Sequence, residues 1–250
     1  MGDPLRLYGL NALVLNAAGG IGEAIARTLT KHGATVVAVD TKNSGVERHY
    51  AKVKGITGLS AAVTDVDGMP AMAEHAVQEL AGIDILVNDF RLQPDAPLDQ
   101  IDEVLERLLQ SRAELTLATY RAALPHLKKS PQGRIINIGF LRSCFGQKGD
   151  AASAYAERDL ADMTRALAAE AGAFAITANY IQPGAVMTPE SRDVFRKDKA
   201  LRDYCIRRSA AHRLGEPVDI AKVALFLASD DAVFVSGTGI AVDGGLADAG

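Results

Sequence analysis

Short apolar runs alternate with longer amphipathic stretches along the whole chain. The short runs are continuously apolar, which is typical of strands buried on both faces of a parallel sheet, and the longer stretches have helical periodicity. We therefore predict an α/β domain in which helices cover both faces of a parallel sheet. The predicted strands are residues 12–15, 35–39, 59–63, 83–87, 134–138, 177–181 and 239–242. The predicted helices are residues 21–32, 68–80, 98–126, 151–171, 190–208 and 217–228.

One segment, residues 189–213, interrupts this alternation because it is charged and carries no strand pattern. The other connections are short. We predict that this segment is a mobile flap over the carboxyl edge of the sheet, where folds of this kind bind ligands. The apolar content of 48% over 250 residues is enough for one sizeable core, so we expect a single domain over residues 1–250.

The composition limits which binding partners and which cellular compartment we expect. The 27 basic and 31 acidic residues give a net charge of −4, so we expect neither nucleic acid nor an anionic membrane as a partner. Residues 1–10 lack the apolar core of a signal peptide, and no run approaches a membrane span, so we expect a cytoplasmic protein. Cys144 and Cys205 lie far apart without metal-ligand spacing, so we expect two unpaired thiols and no metal site.

A glycine-rich turn follows the first predicted strand. Gly20, Ile21 and Gly22 stand where this strand meets the start of a helix. Exposed backbone amides at a helix N-terminus can hold a pyrophosphate, which suits a dinucleotide. Close packing of the helix on the strand explains Gly20 and Gly22 equally well, so both interpretations stay open.

The region from residue 133 to residue 188 is the most informative part of the chain. Residues 133–140 predict a buried strand, residues 153–170 a helix, and residues 179–188 a strand that runs into a Pro-Gly loop. This layout resembles the short-chain dehydrogenase/reductase family, and the resemblance covers about the whole chain. It implies a Rossmann fold with a seven-stranded parallel sheet in the order 3-2-1-4-5-6-7 and a nicotinamide cofactor.

In that family a Ser closes the strand, a Tyr follows thirteen residues later, and a Lys lies one helical turn beyond the Tyr. The segment TRALAAE, which recurs almost unchanged in the family, fixes the register of the helix. Counting back without gaps places Phe140 at the Ser position, Ser153 at the Tyr position and Glu157 at the Lys position. The recurring segment RAALPHL places Arg112 at the position of an Asn that anchors a proton-relay water.

None of these four residues has the chemistry that the family uses. Arg112 is a permanent donor and cannot accept a proton in order to relay it. Phe140 offers no hydrogen bond, and the Ser153 hydroxyl is too weak an acid at neutral pH to replace a Tyr. Glu157 would raise rather than lower the pKa of a neighbouring hydroxyl. We therefore predict that the chain has no catalytic residues at these positions.

Tyr155, with Asp159 one turn beyond it, is the fallback candidate for a catalytic Tyr. Two residues advance the direction on a helix by about 200°, so Tyr155 faces nearly opposite to position 153 unless the preceding loop is longer. A Tyr partnered by an Asp would be a poor acid/base. An aromatic residue of the core or of an interface is the preferred interpretation.

Two acidic residues support cofactor ancestry. By the resemblance, Asp40 would accept hydrogen bonds from the adenosine ribose, which favours NAD over NADP, and Asp65 would contact the adenine amino group. Asp is also common in turns and as a helix cap, so an ordinary structural role stays open for each.

Other positions oppose cofactor binding. Leu15 and Asn16 replace a Thr and the first Gly of the family's turn. Asn16 tolerates a positive φ, so the turn itself can form. Its side chain, however, would lie where the cofactor needs to approach the backbone closely. Asn88 is retained and could tie neighbouring strands together, whereas Phe90 and Arg91 replace a small Ala and Gly beside the adenosine. We expect no bound cofactor, or NAD if there is any.

The loop after the sixth strand keeps the family pattern in the segment PGAVMTP. By the resemblance, this loop lies on the nicotinamide side of the cofactor. The vestigial cofactor positions are therefore Gly20, Ile21, Gly22, Asp40, Asp65, Asn88, Pro183, Gly184 and Val186.

Three functions remain in competition. The favoured one is a catalytically silent subunit that supports an active NAD-dependent relative. We expect the two chains to form a hetero-oligomer, a tetramer with two copies of each chain. The alternative assembly is a homo-oligomer. The inactive subunit of heteromeric family members such as hydroxybenzylsuccinyl-CoA dehydrogenase is a similar case, which suggests a CoA thioester of a hydroxy acid as the substrate of the complex. The second is an NAD-dependent alcohol dehydrogenase or carbonyl reductase that uses Tyr155 with Arg142 or Arg158. The third is a ligand sensor without turnover.

Overall fold

The computed structural model describes the backbone of residues 6–90, 101–141 and 150–246, and the side chains in these ranges except those of residues 101–105 and 150–153. Seven parallel strands form one sheet in the order 3-2-1-4-5-6-7, which confirms the predicted Rossmann-like fold. The strands are β1 (Asn11–Leu15), β2 (Thr35–Asp40), β3 (Ile56–Ser60), β4 (Ile85–Asn88), β5 (Arg134–Ile138), β6 (Thr177–Pro183) and β7 (Gly239–Val242).

Helices cover both faces of this sheet. They are α1 (Gly20–Lys31), α2 (Val46–Tyr50), α3 (Met69–Leu80), α4 (Ile101–Leu127), α5 (Asp150–Ala171), α6 (Pro189–Lys197), α7 (Lys199–Arg208) and α8 (Pro217–Ala228). Successive residues of a strand point to opposite faces, so β1 contributes to two separate cores. Ala12 and Val14 pack with α1 and α8, whereas Leu13 and Leu15 pack with α3, α4 and α5.

Some predicted elements differ from the observed ones. Strand β3 begins three residues before the predicted start at residue 59, because the apolar signal of Val63 comes from a buried residue beyond the strand. The five-residue helix α2 was not predicted, since it is too short to show helical periodicity. The predicted helix 190–208 is two helices, α6 and α7, because Asp198 leaves helical geometry and its side chain caps α7 by accepting from the Leu201 amide at 2.8 Å.

The other predicted elements agree with the structure within a few residues, and residues 98–100 of the predicted fourth helix lie outside the described ranges. In the part of the chain that the structure describes, no helix is long and apolar enough to cross a membrane.

The strand order places a crevice at the carboxyl edge of the sheet. Strand β1 pairs with β2 on one side and with β4 on the other, so the chain connections leave β1 in opposite directions. In open parallel sheets, ligands bind outside the carboxyl ends of the strands at this topological switch point. The ends of β1 and β4 are therefore the place to look for a cofactor site.

Candidate active site and cofactor cleft

The end of strand β1 is bridged to the end of strand β4. Asn16, the residue after β1, lies in the left-handed region with a φ of 51°. Its buried side-chain amide donates a hydrogen bond to the backbone carbonyl of Asp89, the residue after β4. Asparagine adopts this backbone conformation more readily than most residues because its short polar side chain can bond locally. The bridge spans the switch-point crevice.

The two glycines of the following turn have different surroundings. A Cβ added at Gly22 would lie 2.4 Å from the carbonyl oxygen of Asn16, so close packing of helix on strand requires a glycine there. Gly20 has a φ of 59°, and an added Cβ would lie 3.6 Å from the Cβ of Thr188 and 3.7 Å from the Cδ of Pro189. Thr188 and Pro189, at the start of α6, therefore lie near the glycine turn with space for about one methyl group between them. Ile21 is buried in the core between α1 and α8.

Both acidic candidates bond to nearby backbone amides. Asp40 is buried, and its carboxylate accepts from the amide of Ala18 at 2.9 Å and from that of Thr41 at 2.7 Å. Asp65 is exposed, and its carboxylate accepts from the Asp67 amide at 3.1 Å in the turn before α3. These contacts match the ordinary roles of Asp in turns and caps.

The residues after β4 serve the interior of the fold. The Asn88 amide donates to the Asn137 side-chain oxygen at 2.9 Å, and the Asn137 amide donates to the Thr164 hydroxyl at 3.1 Å. These bonds tie β4, β5 and α5 together. Phe90 is 4% exposed and belongs to the core cluster on the side of α3 and α4. Arg91 lies outside the described residues.

Arg112 and Phe140, at the family's Asn and Ser positions, lie against each other. Both are buried, and the guanidinium carbon of Arg112 stands 4.1 Å from the centroid of the Phe140 ring. The same guanidinium donates to the backbone carbonyl of Ile138 at the end of β5. Gln182, whose role the sequence did not indicate, donates to the Phe140 carbonyl at 3.0 Å. This edge of the sheet is thus held by a cation–ring contact and by hydrogen bonds to the backbone.

Helix α5 carries two of the candidate positions, Ser153 and Glu157. Ser153 lies in the first turns of α5, and its side chain is outside the described part. Glu157 is half-buried, and burial, with a smaller contribution from the Asp243 carboxylate, raises the pKa of its carboxyl. A carboxylate beside a second carboxylate cannot lower the pKa of a neighbouring hydroxyl as a Lys does.

The structure does not assemble an alternative site around Tyr155. The Tyr155 side chain is 59% exposed, while Asp159 one turn away is half-buried. Burial raises the pKa of the Asp159 carboxyl, the Arg112 charge opposes this effect, and the Asp162 carboxylate adds to it. Arg158 is exposed and forms an ion pair with Asp162 at 3.9 Å. Arg142 lies outside the described residues.

The Pro-Gly loop after β6 is held by the backbone of its neighbours. Gly184 follows Pro183, the last residue of β6, and a Cβ added at Gly184 would lie 2.6 Å from the Cα of Asp243, so the loop needs a glycine there. Val186 is buried, and its carbonyl accepts from the Ser191 hydroxyl at 2.6 Å. Thr188 and Ser191 cap α6 reciprocally, so the Thr188 hydroxyl is engaged in the helix cap.

The described residues do not fit a dinucleotide in this arrangement. The Asn16 side chain bridges the floor of the crevice, where a dinucleotide would cross the ends of β1 and β4. Arg112 and Phe140 pack together at the edge where a nicotinamide and a substrate carbonyl would meet. Asp40, Asp65 and Asn88, at the family's cofactor positions, bond to other groups of the protein.

Comparison with known proteins gives one consistent result. The family model described as enoyl-(acyl carrier protein) reductase matches residues 16–247. The chain is similar to the 3-oxoacyl-(acyl-carrier-protein) reductase of Pseudomonas aeruginosa, with 36% identity over 251 residues that cover 97% of this chain and 99% of the relative. The reductase of the same name from Haemophilus influenzae is 35% identical, covering 96% and 99%, and that from Thermotoga maritima is 30% identical, covering 97% and 99%.

Proposed function

The chain belongs to the short-chain dehydrogenase/reductase family, and on that premise we propose that it is a non-catalytic subunit supporting an active NAD-dependent member of the family. The contact between Arg112 and Phe140 carries this proposal. A reductase of this family needs a group that gives and takes a proton beside the substrate carbonyl. At the edge of the sheet that would hold this group, the Phe140 ring instead packs against the permanently charged Arg112 guanidinium.

The environment of Glu157 also supports a non-catalytic role. An active member lowers the pKa of its catalytic hydroxyl with a nearby cation, since a positive charge favours the ionised form. Here the residue at that position is a carboxylate, and burial and Asp243 raise its own pKa. Its charge would oppose ionisation of any hydroxyl placed at position 153.

A partner subunit would supply the cofactor and the chemistry in this proposal. The isolated chain binds no cofactor or, through Asp40, only NAD. The substrate belongs to the partner, and a CoA thioester of a hydroxy acid is our candidate. Relatives named as reductases of 3-oxoacyl groups on a carrier protein support a thioester-linked carbonyl as the chemical class.

An exposed apolar surface beside strand β7 supports association with another chain. Phe234 is 99% exposed and Val233 is 65% exposed, in the connection that leads into β7, the last strand of the sheet. Large exposed apolar groups at one place mark interaction sites more often than isolated ones do. On this surface we propose a tetramer with two copies of each chain, with a homo-oligomer as the other outcome.

Co-expression with an intact family member from the same genome tests the proposal. We expect the two chains to co-elute as one complex, and the isolated chain to turn over no 3-oxoacyl thioester with NADH. Phe234→Asp should weaken the complex, whereas the matched control Phe174→Asp, a partly exposed Phe elsewhere on the surface, should leave it intact. The proposal is wrong if the isolated chain reduces the thioester at rates typical of an active member.

An enzyme with a rearranged site is the second candidate, because the relatives are named as reductases and Tyr155 is accessible to solvent. It would be an NAD-dependent alcohol dehydrogenase or carbonyl reductase. Loss of turnover in Tyr155→Phe, with turnover retained in the control Tyr8→Phe, would establish this candidate. Both Tyr side chains are exposed, so the comparison separates chemistry from a general surface effect.

A further inference from the structure

We propose that Asn16 is the residue that closes the switch-point crevice to a dinucleotide, by joining the end of β1 to the end of β4. This inference rests on the proposed function, because it explains how a family member without catalytic residues also excludes the cofactor. The Asn16 side chain donates to the carbonyl of Asp89. It therefore crosses the place where a dinucleotide would pass over the sheet.

Hydrogen bonds to other parts of the protein hold three successive residues, Asn16, Ala17 and Ala18. Ala17 accepts a hydrogen bond from the buried Tyr50 hydroxyl at 2.5 Å through its carbonyl oxygen. The Ala18 amide donates to Asp40 at 2.9 Å. With the Asn16 side chain bonded across the crevice, the turn is stabilised in its present position without a phosphate.

The neighbouring contacts do not explain the exclusion as well. Thr188 lies against Gly20, but a Thr at this loop position is part of the pattern that the chain shares with its family. Phe90 departs from the pattern, yet its side chain packs into the core on the side of α3 and α4. Asn16 both departs from the pattern and has its side chain in the crevice, which singles it out as the determinant.

The variant Asn16→Gly tests this assignment. Glycine removes the bridge and accepts a φ of 51° without strain, so the turn should keep its backbone conformation. We expect the dissociation constant for NADH, followed by its fluorescence, to fall at least about tenfold relative to the wild type, as the loss of one blocking side chain and its bond would give. Adenosine monophosphate as a second probe reports the adenosine half alone.

Two control variants isolate the cause. Asn16→Asp keeps the size of the side chain but loses the donor and adds a negative charge opposite a pyrophosphate, so it should bind NADH no better than the wild type. Ala175→Gly removes a positive-φ alanine, with a φ of 58°, far from the crevice along the chain, and should also leave NADH binding unchanged. Circular dichroism and the unfolding midpoint establish that each variant is folded.

Two results overturn the inference. One is a folded Asn16→Gly variant that binds NADH no more tightly than the wild type does. The other is tight binding only after Phe90→Ala is added, which would make Phe90 the determinant. If Asn16→Gly does not fold, Asn16→Ser, whose side chain is too short for the bridge, is judged by the same criteria. Tight NADH binding with turnover by the wild type would instead contradict the proposed function, so the two failures are distinguishable.

Discussion

Two buried polar clusters lie near the carboxyl edge of the sheet, a lower one between β4, β5 and α5 and an upper one between the end of β5 and α4. In the lower cluster, Asn88, Asn137 and Thr164 bond to one another in a row. In the upper cluster, Arg112 lies over the Phe140 ring and donates to a backbone carbonyl. The two clusters therefore share β5 but join it to different helices.

The difference between the clusters lies in what their members require. The lower cluster consists of short neutral groups whose hydrogen-bonding partners are side chains, so losing one member leaves another buried group unsatisfied. The upper cluster holds one permanent cation against a ring, and an apolar side chain of similar volume could replace it. The lower cluster thus fastens neighbouring strands through paired polar groups, whereas Arg112 and Phe140 pack against each other at the sheet edge.

Asn137→Ala should have the largest effect on stability among the changes that probe this comparison. It removes both hydrogen bonds of the lower cluster and leaves Asn88 and Thr164 without their partner in a site with 1% exposure or less. We expect the free energy of unfolding to fall by about 2–4 kcal/mol in chemical denaturation. The control Asn11→Ala, at the partly exposed start of β1, should change it by less than about 0.5 kcal/mol.

The strand order and the candidate site could be predicted because both leave a pattern in the sequence. The strand order and most element bounds follow from apolar periodicity and from a family pattern that covers the whole chain. The segments TRALAAE and RAALPHL assigned Phe140 and Arg112, which are distant in sequence, to one site, and the fold brings them into contact. Strand β3 was misplaced because burial of Val63 does not require strand pairing.

The contacts that sequence did not reveal involve backbone atoms or chain segments far apart. Asn16 bonds to the carbonyl of Asp89, and Gln182 bonds to the carbonyl of Phe140. Every residue has a carbonyl, so such an acceptor leaves no mark on the sequence. The nearness of Thr188 and Pro189 to Gly20 depends on how the segment after β6 lies against the turn after β1, which no local pattern specifies.

Arg112→Met should have a smaller effect than Asn137→Ala. Methionine keeps much of the volume next to Phe140 and removes a buried charge, so the lost cation–ring contact and hydrogen bond are offset by the lower cost of desolvation. We expect the free energy of unfolding to stay within about 1 kcal/mol of the wild type in chemical denaturation. A loss as large as that of Asn137→Ala would show that both clusters are equally important to the fold.

The Glu157 carboxyl should give the smallest effect, visible as a dependence on pH. Its pKa is raised by burial and then by Asp243, so the folded state favours the protonated form, and ionising the group opposes folding. The contribution that favours folding is fully present below the ordinary pKa of 4.5 and is lost as the pH rises through the higher folded value.

Glu157→Gln removes this titration, so the variant should be more stable than the wild type at neutral pH. The difference should shrink as the pH falls through the raised folded pKa, because the wild-type carboxyl then takes up a proton in the folded protein. Because Glu157 is only half-buried, solvent screens the effect, and we expect a shift of the unfolding midpoint rather than a change of fold. The exposed control Glu79→Gln should show no comparable trend, and a stability difference that grows on acidification would contradict the assigned environment of Glu157.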